Sequence, residues 1–494
     1  MQRKSFEAVA EALKHMRNTT TAAIKDFLCE TDTKHESSAL AGKRLTARAR
    51  ISALFDSGTF VETGALIKRR ATEFDAEAVE EDDFEGVITG YGSIGGELVF
   101  VFAEDFSRSK GAMSEAHAKK ITAVYDMAVK NGAPIIGIFD SAGAFVLDGV
   151  SALSGYGHVM SAASKASGVI PQIAIVAGVC AGGSSAIAAM ADITIVSKAD
   201  GKLYVKAGGD SYETVAIETE DEISAIEKAK EILALVPSNN CEGTVRVDGN
   251  ANTSVDVSFI QGGGYEAADV ISAISDGGRY IELYSSYAPE TVTAISFIGG
   301  IAVGIVASNP AKHNGMLTSG AAKKVSRMIS FCDSFGIPVV TLVDGEGISN
   351  ESTPTPSDLG RLAYAYTSAV CPKVTVVTGE AYGTQFTLMG SKSVGADLVY
   401  ALSSAKIASM KADAAVALLW DDKFAGTSDP AAKRAELEAE WNANFGSAVE
   451  AALHGEIDDV IPDTELRARI ASALEMLSMK NADDPGRRHV NLPM

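Results

Sequence analysis

The chain has 494 residues, 46% of them hydrophobic, which is enough to bury a large core and to fill more than one domain. Its formal net charge of −21 excludes a polyanion-binding surface as the main activity, because nucleic acid would be repelled over most of the protein. The five cysteines (Cys29, Cys180, Cys241, Cys332 and Cys371) are scattered and odd in number, and none has C-x-x-C spacing, so the chain reads as neither a disulfide framework nor a structural zinc protein.

At the start of the chain, Met1 to Leu13 mix charges and contain no apolar run of signal-peptide type, and 1–30 and 43–56 read as helices. The densest basic run, Lys68-Arg69-Arg70, reads as a solvated loop. Gly90-Tyr-Gly-Ser-Ile-Gly95 matches the spacing of a dinucleotide-binding loop. A strand-like run, Glu97-Leu-Val-Phe-Val-Phe102, follows it instead of a helix, so a β-hairpin turn is expected. Two apolar stretches, 171–197 and 291–308, are broken by glycine pairs and dense in small residues, as buried strand–turn–helix units are and membrane spans are not. The chain is accordingly expected to be soluble and cytoplasmic.

The sequence repeats itself. At one constant offset, Gly95-Gly96 recur as Gly299-Gly300, Gly111 as Gly315, Lys119-Lys120 as Lys323-Lys324, Gly132 as Gly336, Pro134 as Pro338, Asp140 as Asp344 and Gly143 as Gly347. At a slightly shorter offset, Pro171 recurs as Pro372, Gly178 as Gly379 and Gly182 as Gly383. Such an ungapped series marks a duplicated domain, with copies starting near Phe84 and near Tyr287. Each copy reads as a strand (Glu97 to Ala103; Ile301 to Ala307) and a helix stopped by Gly132-Ala-Pro or Gly336-Ile-Pro. Two buried strands follow, Ile135 to Phe139 and Ile173 to Val176, or Val339 to Val343 and Val374 to Val377. Strands alternating with helices give an α/β fold, twice over. Residues 220–235 read as an acidic helix, 238–265 as a linker between the halves, and 430–480 as an amphipathic helical tail with Ile457, Val460, Leu466, Ile470, Leu474 and Leu477 on one face.

Cys180-Ala-Gly-Gly183 lies between a buried strand and a small-residue helix. Glycine there lets a ligand approach the backbone, and the helix start aims unpaired N–H groups at it, which is what an oxyanion hole requires. A glycine pair at such a place also serves close helix packing. Asp140-Ser-Ala-Gly-Ala144 ends the neighbouring strand and is placed to supply a second donor. Ser141 lacks a nucleophile elbow and an obvious histidine base, so a serine nucleophile is not expected. The seven histidines show no metal-ligand spacing; His158, in Gly155-Tyr-Gly-His158, is singled out for inspection. Ser409-Met-Lys411 lacks the second methionine of a biotin-attachment site, and self-biotinylation is not expected.

Together these segments resemble the carboxyltransferase family of acyl-CoA carboxylases, which includes propionyl-CoA carboxylase β and the α subunits of glutaconyl- and methylmalonyl-CoA decarboxylases. Gly42-Lys-Arg-Leu-Thr-Ala-Arg-Ala-Arg-Ile51, Glu85-Gly-Val-Ile-Thr-Gly-Tyr-Gly92, Asp140-Ser-Ala-Gly-Ala144, Ser167-Gly-Val-Ile-Pro-Gln172 and Cys180-Ala-Gly-Gly183 carry the likeness. So do Val236-Pro-Ser-Asn-Asn240, Phe335-Gly-Ile-Pro-Val339, Ala381-Tyr-Gly383, Ile457-Asp-Asp-Val-Ile461 and Arg488-His-Val-Asn-Leu-Pro493. The resemblance implies two tandem crotonase-like domains: an acyl-CoA half (1–240) and a half that receives carboxybiotin (241–494, with a helical tail at 425–480). It implies biotin borne on a separate carrier, a coenzyme A thioester as substrate, and biotin carboxylase or decarboxylase subunits as partners. A homo-hexamer is also implied, with each site between two protomers. One oxyanion hole, for the thioester enolate, maps to Gly182 and Gly183 with a donor at Gly143 or Ala144. The other, for the biotin ureido oxygen, maps to Gly383 and Thr384 with Gly347 or Ile348.

The chain departs from the family pattern in places. Asp-Ser-Gly-Gly-Ala-Arg becomes Asp140-Ser-Ala-Gly-Ala-Phe145, Asp-Val-Pro-Gly-Phe becomes Asp344-Gly-Glu-Gly-Ile348, and Ala-Tyr-Gly-Gly-Ala-Tyr becomes Ala381-Tyr-Gly-Thr-Gln-Phe386. Three other roles stay open on the residues alone: a subunit working in the decarboxylating direction, a non-catalytic scaffold, and a crotonase-type enzyme acting on CoA thioesters without biotin. The last would want a paired glutamate beside the acyl hole, and none adjoins Gly143 or Gly183 in sequence.

Overall fold

The computed structural model describes residues 44–68, 84–206, 209, 213–424 and 429–480. The expected helix over 1–30, Arg69 and Arg70 of the basic run, the 425–428 start of the tail and the 488–493 signature lie outside the described residues. Two compact units are present. Among the described residues, the first comprises 44–167, 172–209 and 218–230; the second comprises 168–171, 213–217 and 231–480.

The first unit contains, in chain order, α1 (Ala47–Leu54), β1 (Val61–Thr63), β2 (Val87–Ile94), β3 (Glu97–Glu104), α2 (Glu115–Asn131), β4 (Ile135–Ser141), α3 (Val150–Ala166), β5 (Gln172–Ala181), α4 (Gly183–Met190), β6 (Ile193–Ser197), β7 (Lys202–Tyr204), β8 (Ile217–Thr219) and α5 (Glu222–Leu233). Its sheet runs β1-β2-β3-β4-β5-β6-β8, with β7 beside β5. The β2–β3 pair is antiparallel, joined through Gly95 and Gly96, and is the hairpin expected of the Gly90–Gly95 motif. From β3 to β6 the pairing is parallel. These central strands are covered on both faces, so β4 is buried along its whole length and reads as a continuous apolar run without alternation. Ser114 caps the start of α2 by accepting from the His117 N–H, and Gly132 ends it in the left-handed region.

The second unit repeats this plan. It holds α6 (Ala267–Ile274), β9 (Tyr280–Leu283), β10 (Thr291–Ile298), β11 (Ile301–Ser308), α7 (Ser319–Ser334), β12 (Val339–Gly345), α8 (Pro356–Ser368), β13 (Lys373–Tyr382), α9 (Gly383–Leu388), β14 (Leu398–Leu402), β15 (Lys406–Ala408), α10 (Ala412–Leu419), α11 (Pro430–Phe445), α12 (Ala448–Leu453), β16 (Asp459–Ile461) and α13 (Leu466–Met476). The sheet order is β16-β14-β13-β12-β11-β10-β9, with β15 beside β13. The duplication extends to small devices. A carboxylate accepts both N–H groups of the hairpin glycines in each unit: Asp56 from Gly95 and Gly96, Asp276 from Gly299 and Gly300. A buried lysine on the helix after the hairpin donates to loop carbonyls in each: Lys120 to Val87, Lys324 to Tyr284, Tyr287, Ala288 and Thr291.

Three expectations need correction. The 43–56 helix is the shorter α1, which starts at its Thr46 cap. The 238–265 segment is no free linker: Val247 and Ala302 N–H groups bond across to Gly300 and Val245 carbonyls, and Val257 and Ile260 sit in the second unit's core. The tail is not one amphipathic helix. Residues 459–461 pair with β14 as an edge strand, while Leu466, Ile470 and Leu474 on α13 pack into the same core. Gly446, Gly455 and Pro462 break the stretch into separate elements, which a single helical template passes over.

Lys324 is 3% exposed, and burial pushes its ammonium down to about 8. Lys324→Met keeps the apolar stem but leaves its four carbonyls short of a donor, so a loss of about 3 kcal/mol is expected in urea unfolding of the whole chain.

Candidate active site

The two copies present the same main-chain arrangement at the carboxyl ends of adjacent parallel strands. In the first, β4 ends at Ser141 and the chain turns through 142–145. The Ala142 N–H donates to the Lys110 carbonyl (2.9 Å), the Gly143 N–H to Ser141 Oγ (3.2 Å) and the Phe145 N–H to the Met113 carbonyl (2.8 Å). The Ala144 N–H has no acceptor among the described residues. In the second, the Glu346 N–H donates to the Asn314 carbonyl (3.3 Å), the Gly347 N–H to Gln385 Oε1 (2.8 Å) and the Ser349 N–H to the Leu317 carbonyl (3.0 Å). Again one amide, that of Ile348, is left. An N–H aimed at no acceptor costs free energy unless water or a ligand meets it, so a turn that satisfies its neighbours and leaves one amide open is suited to bind an anionic oxygen.

Beside each turn the next strand runs into a helix. Ser141 and Cys180 are register partners on β4 and β5, and Gly345 and Ala381 on β12 and β13. The junction glycines Gly182 (φ 59°) and Gly383 (φ 55°) hold a left-handed backbone that turns the chain sharply into α4 and α9. The first-turn amides that follow have no carbonyl four residues back. The Gly182 N–H is spent on the Tyr204 carbonyl (3.2 Å), which leaves Gly183 as the open donor of that pair. A Cβ at Gly183 would stand 2.8 Å from the Tyr156 ring, so glycine is required there for space. Thr384 keeps a negative φ, retains its N–H, and lines a cavity of about 600 Å³ together with Gly383, Phe386, Ile407, Phe445 and His454. Of the alternatives drawn from the sequence, Gly143 and Gly347 are therefore already bonded, and Ala144 and Ile348 present the open amides. His158 lies exposed on α3.

Several residues that position the turns escaped the sequence reading. Ser109-Lys110-Gly111 (φ 46°, 55°, 63°) and His313-Asn314-Gly315 (φ 48°, 51°, 62°) form left-handed turns, and the carbonyls of Lys110 and Asn314 hold the strand-end turns. Only the matching glycines signalled them. Beneath the first turn lies a buried charge network. Asp140 Oδ2 accepts from Arg44 (2.5 Å) and Arg50 (2.9 Å), and Arg50 Nε donates to Glu222 (2.6 Å). Glu104 Oε2 accepts the Asp140 N–H (2.8 Å), and its other oxygen is 3.9 Å from His117 Nε2. Burial, with the Asp140 charge adding to it, pushes Glu104 up to about 8; burial and then Lys120 push His117 down to about 3. Two arginines thus pair with Asp140 and Glu222, while Glu104 and His117 stay neutral near pH 7. These pairings join residues far apart in sequence, and no local motif announces them.

Among the described residues there is no cluster of three or more metal-ligating side chains, and no helix is long and apolar enough to cross a membrane. The chain matches the carboxyl transferase domain family over residues 39–219 and 214–492. It is 37% identical over 481 residues to the methylmalonyl-CoA carboxyltransferase 12S subunit of Propionibacterium freudenreichii subsp. shermanii, covering 91% of each chain. It is 33% identical to the methylmalonyl-CoA decarboxylase subunit alpha of Propionigenium modestum, covering 92% of this chain and 94% of that one. A crystal structure of the transcarboxylase 12S hexamer with hydrolysed methylmalonyl-coenzyme A bound superposes with a TM-score of 0.88 at 33% identity, covering 96% of this chain and 98% of the other.

The raised Glu104 carboxyl has a signed consequence. Folding takes up a proton there between about 4.5 (unfolded) and about 8 (folded), so this group's contribution to stability is full below the lower value and falls as pH rises through the upper one. In Glu104→Gln, which keeps a carbonyl oxygen for the Asp140 N–H, that loss should vanish. Chemical denaturation from pH 5 to 9 should show the variant gaining on the parent as pH rises, and parallel curves would disprove the assignment.

Proposed function

The chain belongs to the carboxyl transferase family, and from that premise we propose how its two halves divide the reaction. It is a carboxyltransferase of two tandem crotonase-like domains acting on an acyl-CoA. In our reading the 1–240 half binds the thioester. Ala144 and Gly183 N–H groups hold its carbonyl oxygen as negative charge develops there on removal of the α-proton. The 241–494 half receives biotin borne by a carrier protein, with Ile348 and Thr384 N–H groups directed at the ureido oxygen. Biotin, when bound, supplies the activated carboxyl group and accepts the α-proton in exchange for it. The chain's own part is to orient both oxygens and stabilise their charge, so no side-chain nucleophile is needed. A well-placed donor of this kind contributes roughly 3 kcal/mol in the transition state, and holding the reacting carbons together adds to it.

The single observation that carries this reading is the recurrence, once per half, of one open amide flanked by bonded ones. The cavity at Thr384 gives the second donor set room for a ligand. A biotin-independent crotonase-type activity is disfavoured, since Glu104, the glutamate that accepts the Asp140 N–H at the end of β4, is fully buried. The decarboxylating direction uses the same donors and is the second reading, favoured by the likeness to a decarboxylase α subunit. We further propose a cytoplasmic homo-hexamer that engages a biotin carboxyl carrier with biotin carboxylase or decarboxylase subunits. Exposed apolar side chains beside each donor region, Val146, Val150 and Leu153 in one unit and Leu418, Phe445, Val449 and Leu453 in the other, support completion of each site by a neighbouring subunit.

Carboxyl transfer from methylmalonyl-CoA to free biotin, which releases propionyl-CoA, tests the reading. Thr384→Pro deletes one N–H at a helix start that tolerates proline, and should lower kcat by about 100-fold or more with acyl-CoA affinity unchanged. Equal loss of acyl-CoA binding would show that the second half does not serve biotin. Exchange by the parent protein at a rate indifferent to biotin would remove the proposal altogether.

A further inference from the structure

Gln385 stands, by the repeat, at the position of Ser184, and the family pattern has alanine there. Its side chain is 1% exposed and bonded at both ends: Oε1 accepts the Gly347 N–H (2.8 Å) and Nε2 donates to the Gly315 carbonyl (2.7 Å). Both partners are main-chain groups of fixed polarity, so the orientation of the carboxamide is unambiguous. The first half handles the same amide differently. There Ser141 Oγ, from the strand end itself, accepts the Gly143 N–H, while Ser184 points to Tyr156 OH at 3.4 Å and does not reach the turn. In the second half the residue matching Ser141 is Gly345, which has no side chain to offer, and a Cβ there would stand 2.3 Å from Gln385 Nε2 and 2.2 Å from the Gly315 carbonyl. The carboxamide fills the space a side chain at 345 would need.

We propose that Gln385 is a positioning residue that sets the direction of the Ile348 N–H. It grips the turn at Gly347 and the left-handed turn at Gly315 at once, so the one amide left over in 346–349 is fixed between them. This assignment rests on the reading that the second half serves biotin. It adds that, in this chain, the geometry of that half depends on a carboxamide where the first half depends on a hydroxyl.

The test uses the full chain in the exchange assay with free biotin. Gln385→Ala should lower kcat by about 10- to 100-fold while leaving acyl-CoA binding, measured by calorimetry, as in the parent. Gln385→Glu supplies the control that a role in bulk packing would not pass. Protonated, its carboxyl can accept from Gly347 and donate to Gly315 as the carboxamide does; ionised, it places negative charge on the Gly315 carbonyl. The ratio of Gln385→Glu to parent kcat should therefore be near one at the acid end of the accessible range and fall as pH rises through the carboxyl's pKa. A flat ratio, or an alanine variant with parental kcat, overturns the positioning role. If Gln385→Ala does not fold, the pH dependence of the ratio of Gln385→Glu to parent decides alone, because it reads a change within one folded variant. A parent that shows no biotin-dependent exchange is a different result, and would remove the reading on which the assignment rests.

Discussion

Three consecutive residues in the left-handed region are costly, at roughly 1–2 kcal/mol for each that is not glycine, and each half of this chain contains such a run just after its hairpin. The cost is met because those turns provide carbonyls at the height where the neighbouring strand ends. Lys110 and Asn314 each tie down the amide two places before the open one, and Met113 and Leu317, a few residues further on, tie down the amide just after it. The open N–H exists because everything around it is bonded. Removing the left-handed turns would release the strand-end turns, and the pattern of one free amide would dissolve into ordinary loop solvation.

The halves have since parted in how they support that shared frame. In the first, the strand-end carboxylate Asp140 is held by two arginines in a network that reaches Glu222 and Glu104. In the second, Asp344 meets the Glu380 N–H and Tyr265, with burial raising its carboxyl pKa. In one, two arginines pair with the strand-end carboxyl group; in the other, a backbone N–H and a tyrosine hydroxyl meet it. Desolvation makes buried charges expensive unless each has its partner, so the first unit's turn depends on several elements at once, whereas the second's depends on its own neighbourhood.

The duplicated α/β plan was legible because glycine, proline and aspartate at fixed spacing mark turns that both copies must make. The hairpin after Gly90 was legible because a strand, and not a helix, follows it. The tail was misread because the apolar residues of a short edge strand, 459–461, and of a later helix, 466–476, were joined into one face across the breaks at Gly455 and Pro462. The choice between Gly143 and Ala144, and between Gly347 and Ile348, stayed open because a sequence names the loop and not the amide. Whether a given N–H is bonded depends on Ser141 in one case and on Gln385, far along the chain, in the other. The buried network around Arg50 was invisible for the same reason, since its members are brought together only by the packing of α1 and α5 against the strand ends.

A site built from peptide N–H groups has an unusual relation to mutation. Substitution changes side chains, and every residue but proline carries the same amide, so the N–H proposed to act at 384 is kept through the exchange of glycine for threonine that separates this chain from its family's pattern. Inheritance can therefore rework the walls of such a pocket, and with them the choice of substrate, while the reactive groups stay in place. The vulnerable positions shift to those that aim the backbone, which lie in the supporting turns and buried contacts and would attract little notice in a search for reactive side chains.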